Sequence, residues 1–507
     1  MYSPMIIAAQ KGHVDVVNAL LAQNADPNQA TTDEYGSTPL YVAAYQNKDV
    51  VVNLLLEHKD IDPNQARTDN GATPLFTAAQ KGHVEVATAL LTHKDIAPNQ
   101  ARTDNGATPL FTAAQKGHVE VVKLLLEHEA DPNQATTDDG ATPLYIAAEE
   151  GHVDVATVLL GWKADVNQAT TDHGATPLYM AVQEGHVDVV RELLEQNADP
   201  NQTRTDEYGI TPLYKAVENG HVDVAKTLLE HNAKPNIART DDGTTPLYMA
   251  AQEGHADVVR ELLAHNADPN QARTEDGTTP AFIAADKGQV ECLKLLLKNK
   301  ADPKKARTNE GVTPLWMAAQ YGHTDCLKLL LKGKAEPNKA KTTVGATPAY
   351  VAAQNGRADC LKLLLEHGAK PNQTMTNEYG ATPLHIAVSK GKTDIISILM
   401  SHNADMHQVN KKTISPYQLA FEKGNREIIQ LFRKIERELP AYSKERTPPP
   451  PLSPPKYEKK KRVTGLKRRK KTSKKGKKNK SVKKKKQKSI KKNKSVKKNK
   501  SVKKKKN

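Results

Sequence analysis

The 507-residue sequence predicts an all-α-dominated repeat solenoid followed by a disordered C-terminal tail. Three observations carry that prediction. Thr-Pro-Leu recurs with its proline at Pro39, Pro74, Pro109, Pro143, Pro177, Pro212, Pro246, Pro314 and Pro383. Thr-Pro-Ala takes the slot at Pro280 and Pro348, and weaker copies stand at Pro4 and Pro416, so thirteen units follow at intervals of 33 to 35 residues. A fixed period of this length marks stacked supersecondary units. Second, only 4% of the residues are aromatic against 37% hydrophobic, which suits thin, repeated layers better than one large mixed core. Third, residues 459–507 hold 29 Lys+Arg and no acidic residue, a composition that cannot bury enough apolar surface to fold.

The elements of one unit follow in order from Thr142. Thr142 is expected to cap a helix, with Pro143 at the first helical position, where a missing N–H costs nothing. Leu144, Ala147 and Ala148 form its narrow apolar face, and Gly151 stops it after about two turns. A second helix carries Val153, Val155, Ala156, Leu159 and Leu160 at helical spacing. A connection rich in Pro, Asn, Asp and Gly then leads to the next Thr-Pro. Helices this short are unstable alone, so each unit must stack on its neighbours. The series opens on Met5-Ile6-Ile7, an apolar stretch with no evident cap. It closes on a degenerate unit, Tyr417 to Phe421 and Ile428 to Phe432, whose last helix turns charged.

These residues closely resemble the ankyrin repeat, whose pattern is Thr-Pro-Leu-His-x-Ala-Ala, then Gly-His, then a second helix with Val-Val-x-Leu-Leu-Leu. The resemblance covers residues 3 to 435 and recurs about a dozen times. It implies paired antiparallel helices with β-hairpin fingers projecting from the stack, and partners held by the first-helix surface and the fingertips. The histidine of the family's Thr-Pro-Leu-His is present only at His385. Elsewhere the position holds rings, among them Tyr41, Phe76, Phe111, Tyr145, Tyr179 and Trp316, and a ladder of partly buried rings is expected to replace its hydrogen bond.

Charge divides the chain. Residues 1–280 carry 18 Lys+Arg against 41 Asp+Glu, and residues 281–458 carry 27 against 17. We therefore expect three domains: a solenoid over 1–440, a Pro-rich linker over 441–458 and a disordered Lys-rich tail over 459–507. With no apolar run of membrane-spanning length, no secretory leader at Met1–Gln10 and three cysteines, the expected setting is intracellular and reducing, nuclear or cytoplasmic.

Tests for chemistry return no catalytic constellation, and no enzyme activity, cofactor, metal or small-molecule substrate is expected. Eight histidines follow glycine, from His13 to His323, but successive ones lie a full repeat apart, beyond the reach of one Zn²⁺ with ligands near ~2 Å. Cys292, Cys326 and Cys360 recur every 34 residues at one repeat position and read as core fillers too far apart to bridge. The Asp-rich fingers lack Ca²⁺-loop spacing.

The candidate partner-binding residues lie in the fingers. One position reads Arg67, Arg102, Arg204, Arg239, Arg273 and Arg307, with Thr31, Thr136, Thr170, Lys341 and Met375 in other units, and a threonine always follows. Either these are solvated strand residues in local ion pairs, worth little each, or they form an arginine comb that reads a partner across several fingers. Tyr35, Tyr208 and Tyr379 stand at the tips of the longer fingers. Trp162 replaces the His or Gln of related units and is a candidate anchor.

Thr447 to Lys456 should be extended polyproline. Pro451, Pro454 and Lys456 match an SH3-ligand spacing, a stiff linker being the alternative. Lys459, Lys460, Lys461 and Arg462, with Lys467, Arg468, Arg469, Lys470 and Lys471, form clusters of the nuclear-targeting kind. The tail as a whole is expected to attract nucleic acid or another polyanion with steep salt dependence. The sequence thus points to a non-catalytic protein-interaction scaffold with a basic tail for nuclear targeting or polyanion attachment. The alternative is a nucleic-acid- or chromatin-associated protein whose repeats recruit partners. The plan also resembles host-directed effectors of intracellular microbes, which would be delivered into the host cell.

Overall fold

In the computed structural model the residues described are 3–206 and 208–438. The chain divides into two units, Met1–Ser443 and Lys444–Asn507, and every described residue belongs to the first. The linker, the SH3-type motif, the basic clusters and the tail therefore lie outside the described residues.

Among the described residues twenty-six helices run in pairs from Pro4–Lys11 to Arg426–Glu438. In twelve units the first helix begins with proline behind a threonine cap or, in the last, a serine cap; in the fifth, the Thr142 side chain accepts from the backbone N–H of Tyr145. The opening unit is capped as well: Ser3 accepts from Ile6, a signal that the Met5-Ile6-Ile7 reading overlooked. First helices pack on first helices and second helices on second helices along the stack. The core is the seam between these two layers. Leu144, Ala147, Ala148, Val155, Ala156 and Leu159 in one unit are all fully buried. At roughly 25 cal/mol per Å² of apolar surface removed from water, this repeated seam is the main stabilising term.

The Gly-His turn is consumed in stacking. Gly151 has φ of 77°, and a Cβ there would lie 2.7 Å from the ring of His186 in the next unit, so only glycine fits. His186 Nε2 in turn reaches the Glu149 carbonyl at 3.0 Å, and His152, His221 and His323 make equivalent contacts with Gln115, Gln183 and Asp286. The histidine column thus sews first-helix ends together.

A second stitch comes from the Pro-Asn-Gln segments. Asn133 Oδ1 accepts from Asp165 N at 2.7 Å, Asn167 Oδ1 from Asp199 N at 2.9 Å and Asn270 Oδ1 from Asp302 N at 2.7 Å. Where Lys304 replaces this asparagine the stitch is missing, and a hollow of about 100 Å³ opens among Pro303, Lys304, Thr313, Ala335, Glu336 and Lys339.

The expected β-hairpin fingers are corrected: no strand occurs among the described residues. Each finger is a turn closed by a few backbone bonds, as in Arg67 N to Ala72 O at 3.0 Å and Gly71 N to Arg67 O at 3.1 Å, and one bond, Thr68 N to Tyr35 O at 3.1 Å, ties it to the finger before. A strand needs a ladder of such bonds along two extended segments, and these arms turn too soon to extend one.

Candidate protein-binding surface

The finger arginines are seated, not free. Each lies over the ring that occupies the histidine slot of the preceding unit. Arg67 covers Tyr41 at 5.5 Å from the ring centroid, Arg102 covers Phe76 at 5.5 Å, and Arg204 covers Tyr179 at 5.5 Å. Arg239 covers Tyr214 at 6.0 Å, Arg273 covers Tyr248 at 5.5 Å and Arg307 covers Phe282 at 5.9 Å. Lys341 stands over Trp316 at 5.9 Å. The attraction is between the cation and the ring face.

A carboxylate closes each arrangement. Arg67 meets Asp69 with Nε–Oδ1 at 2.9 Å and Nη2–Oδ2 at 2.6 Å, and Arg239 holds Asp241 the same way at 3.1 and 2.6 Å. Arg102 pairs with Asp104 and Arg204 with Asp206. Arg273 pairs with Glu275 of its own finger at 2.6 Å and also reaches back to Asp242 of the preceding finger at 2.9 Å, while Arg307 reaches back to Asp276 at 2.8 Å. Burial alone would raise Asp276, but hydrogen bonds from Thr278 and the charges of Arg307 and Arg273 outweigh it and hold the carboxyl below its usual range. Burial pushes the Tyr214 phenol up to about 12 against the pull of Arg239. The lidded rings are 1–7% exposed at Tyr214, Tyr179, Phe76, Phe282, Tyr248 and Tyr41.

At His385 the histidine arrangement survives: Nδ1 accepts from Thr382 N at 3.2 Å and Nε2 reaches the Ile414 carbonyl at 2.9 Å. Trp316 Nε1 donates to the Ala346 carbonyl at 3.0 Å, the same link made by another ring. The remaining rings of the column hold their places by packing and by the arginine lids.

The fingertip tyrosines remain at the surface. Tyr35, Tyr208 and Tyr379 are 45%, 39% and 46% exposed, each with a cation over one face: Arg67 at 4.8 Å, Arg239 at 5.1 Å and Lys412 at 4.3 Å. Trp162 is placed elsewhere. It ends the second helix Val153–Gly161 and is 47% exposed. Related units put a histidine there that bonds back to its own helix, as His128 Nδ1 does to Leu124 O at 2.9 Å. The geometry therefore joins the arginines and fingertip tyrosines into one surface and leaves Trp162 in the second-helix layer.

Sequence reasoning allowed for local ion pairs but missed the ring beneath each arginine. The signal was present, because rings and arginines repeat with the same period, one cation following each ring by about three-quarters of a unit. The cysteines lie in the seam. Burial pushes Cys292 up to about 11 and Cys326 up to about 12, and raises Cys360. Among the described residues no group of three or more His, Cys, Asp or Glu is placed to hold a metal ion, and no helix is long and apolar enough to cross a membrane.

A stack of capped helix pairs, sewn at six of its turns by a glycine–histidine contact and bearing fingers between units, defines a class of repeat scaffold. The family model described as ankyrin repeats (3 copies) matches residues 5–102, 97–170, 164–239, 234–307, 300–375 and 373–439. The chain belongs to the ankyrin-repeat family. No curated protein matches it.

Proposed function

We propose that this chain is a non-catalytic scaffold that binds protein partners on the surface formed by the fingers and the ends of the first helices. Ankyrin repeats generally mediate protein–protein interaction, and the chain carries thirteen. The observation that favours this surface is a division of labour among the residues. Those that repeat almost unchanged, the caps, Gly-His and Pro-Asn-Gln, are spent on holding units together. The pair before the glycine that ends each first helix varies among units and faces solvent in whole or in part: Gln80-Lys81, Glu149-Glu150, Gln252-Glu253, Asp286-Lys287, Gln320-Tyr321. An invariant frame bearing a variable surface suits recognition.

The segment 459–507 is assigned to nuclear targeting or attachment to a polyanion, on its charge alone. A role as a host-directed effector of an intracellular microbe fits the same plan. The second reading, a chromatin-associated protein whose repeats recruit others, rests on those same 29 cations.

The test is capture of partners by the full-length chain and by two variants. Glu150→Lys with Tyr321→Ala alters the first-helix ends, and Trp162→Ala alters the second-helix layer. The scaffold reading expects the first to lose partners and the second to keep them. Equal retention by both would contradict it.

A further inference from the structure

Two interruptions of the arginine column each leave a ring and an acid without an arginine. Thr136 stands where an arginine would cover Phe111, and Thr170 stands where one would cover Tyr145. The acids remain: Asp138 and Asp172 occupy the position of Asp69. Thr31 and Met375 break the column as well, but the residue ahead of Thr31 is the buried Ile6, and after Met375 the acid's position holds Asn377, so neither break leaves a ring together with an acid.

The rings register the loss. Phe111 is 9% exposed and Tyr145 is only partly buried, whereas the arginine-lidded rings are 1–7% exposed. Among the described residues no cation lies over either ring. Asp172 and Asp138 are exposed, and the Asp172 carboxylate accepts from the His173 backbone at 2.6 Å and faces the His173 ring at 3.4 Å. Glu149, Glu150 and Glu184 lie close by on the first-helix ends. Burial, then the charges of Glu150, Glu184 and Asp139, raise Glu149 above its usual range. Burial, then Glu149, Asp139 and Asp172, raise Tyr145, and the opposing charge of Arg204 is the smallest influence on it. The neighbourhood therefore carries several carboxylates against one nearby arginine, Arg204.

The rest of the chain shows what such a place holds. In six other units a ring at this position and a nearby carboxylate enclose a guanidinium, its carbon 5.5–6.0 Å from the ring centroid and its N–H groups paired with the carboxylate. We propose that the fingers at Thr136 and Thr170, with the rings of Phe111 and Tyr145, form two adjacent sockets for arginine side chains of a basic segment in a partner protein. The fit favours a guanidinium over an ammonium: six of the seven seated cations are arginines, Lys341 being the other, and Arg67 and Arg239 each meet their carboxylate with two N–H groups, which an ammonium does not match in geometry. Packed helices lie roughly 8–10 Å apart and an extended chain advances about 3.3 Å per residue, so two arginines three residues apart reach both sockets. This inference rests on the scaffold reading above and names the partner chemistry for one part of its surface.

The probe is a fluorescein-labelled Gly-Arg-Gly-Ser-Arg-Gly peptide, compared with its lysine and citrulline counterparts, titrated with the full-length protein at physiological ionic strength. The expected order is arginine over lysine, with citrulline weakest. Thr136→Arg with Thr170→Arg supplies the lids from within, and six units already fold with that residue. It should weaken the arginine peptide by about tenfold or more while leaving the thermal transition unchanged or higher. Asp172→Asn, which empties one charge without adding bulk, should weaken it less. Failure of the native protein to prefer the arginine peptide, or equal binding by the filled variant, overturns the sockets. The two readings fail separately. If protein partners are captured equally by the native chain and the filled variant, the scaffold stands and the sockets fall. If the peptide binds as expected but altering Glu150 and Tyr321 costs no partner, the broader surface falls and the sockets stand.

Discussion

Arg273 reaches across from one finger to the next: its Nη2 lies 2.9 Å from Oδ2 of Asp242 while its guanidinium covers the Tyr248 ring at 5.5 Å. One side chain thus fastens a finger to both the helix layer and the finger before it. Arg307 repeats the device with Asp276 and Phe282.

The two acceptor carboxylates give the fold an acid-sensitive term. Burial would raise Asp242 and Asp276, but the hydrogen bonds from Thr244 and Thr278 and the neighbouring arginines hold both below the usual range. A depressed folded pKa contributes stability that is complete above the unfolded value, ~3.9, and is lost as pH falls through the folded one. The variant Asp242→Asn with Asp276→Asn should therefore lose about 1–3 kcal/mol at neutral pH. Its penalty should shrink in denaturant melts below about pH 4. A penalty unchanged at low pH would contradict the assignment.

The asparagine stitch makes a paired prediction. Asn167→Ala removes the acceptor of Asp199 N and should cost about 1 kcal/mol. Lys304 already has the local geometry of the asparagine units, since its N–H donates to Asp302 Oδ1 at 2.9 Å as Asn64 donates to Asp62 at 2.9 Å. Lys304→Asn should restore the missing stitch to Glu336 N and stabilise by about 0.5–1.5 kcal/mol. Urea midpoints of the two variants check both signs.

Thr142→Ala should cost about 1 kcal/mol through loss of the cap to Tyr145. Gly151→Ala should cost more, because it adds backbone strain at positive φ to a Cβ 2.7 Å from the His186 ring. Thermal melts in which the alanine at 151 is the milder change would refute the packing described for that turn.

The cysteines should be slow to react. All three are 0–1% exposed and their thiols are pushed up by burial, so the reactive thiolate is scarce near neutral pH. Labelling with a maleimide should follow unfolding; labelling of native protein within seconds would contradict their place in the seam.

The frame was legible because its residues are local. Thr142 with Pro143 starts a helix and Gly151 ends one through rules that act over a turn of chain. The seam followed from Val155 and Leu159 at helical spacing. The fingers were less legible. The family resemblance implied strands, while the arms around Arg67 and Gly71 close too soon for a ladder. The role of the arginines was hidden for a different reason. Arg67 and Tyr41 are 26 residues apart, and only the stacking of one unit on the next brings them into contact. The asparagine stitch was equally non-local, although the recurrence of the asparagine in most Pro-Asn-Gln segments was visible.

The central claim is that partners bind the finger and first-helix surface. Hydroxyl-radical footprinting of the full-length chain, alone and with a captured partner, tests it most directly, because reactive aromatic side chains stand on both layers. Tyr35, Tyr208, Tyr321 and Tyr379 are 39–46% exposed on that surface, and Trp162 is 47% exposed in the second-helix layer. The account predicts that the partner shields one or more of those tyrosines and leaves Trp162 as reactive as before. Shielding of Trp162 with all four tyrosines unchanged would contradict it.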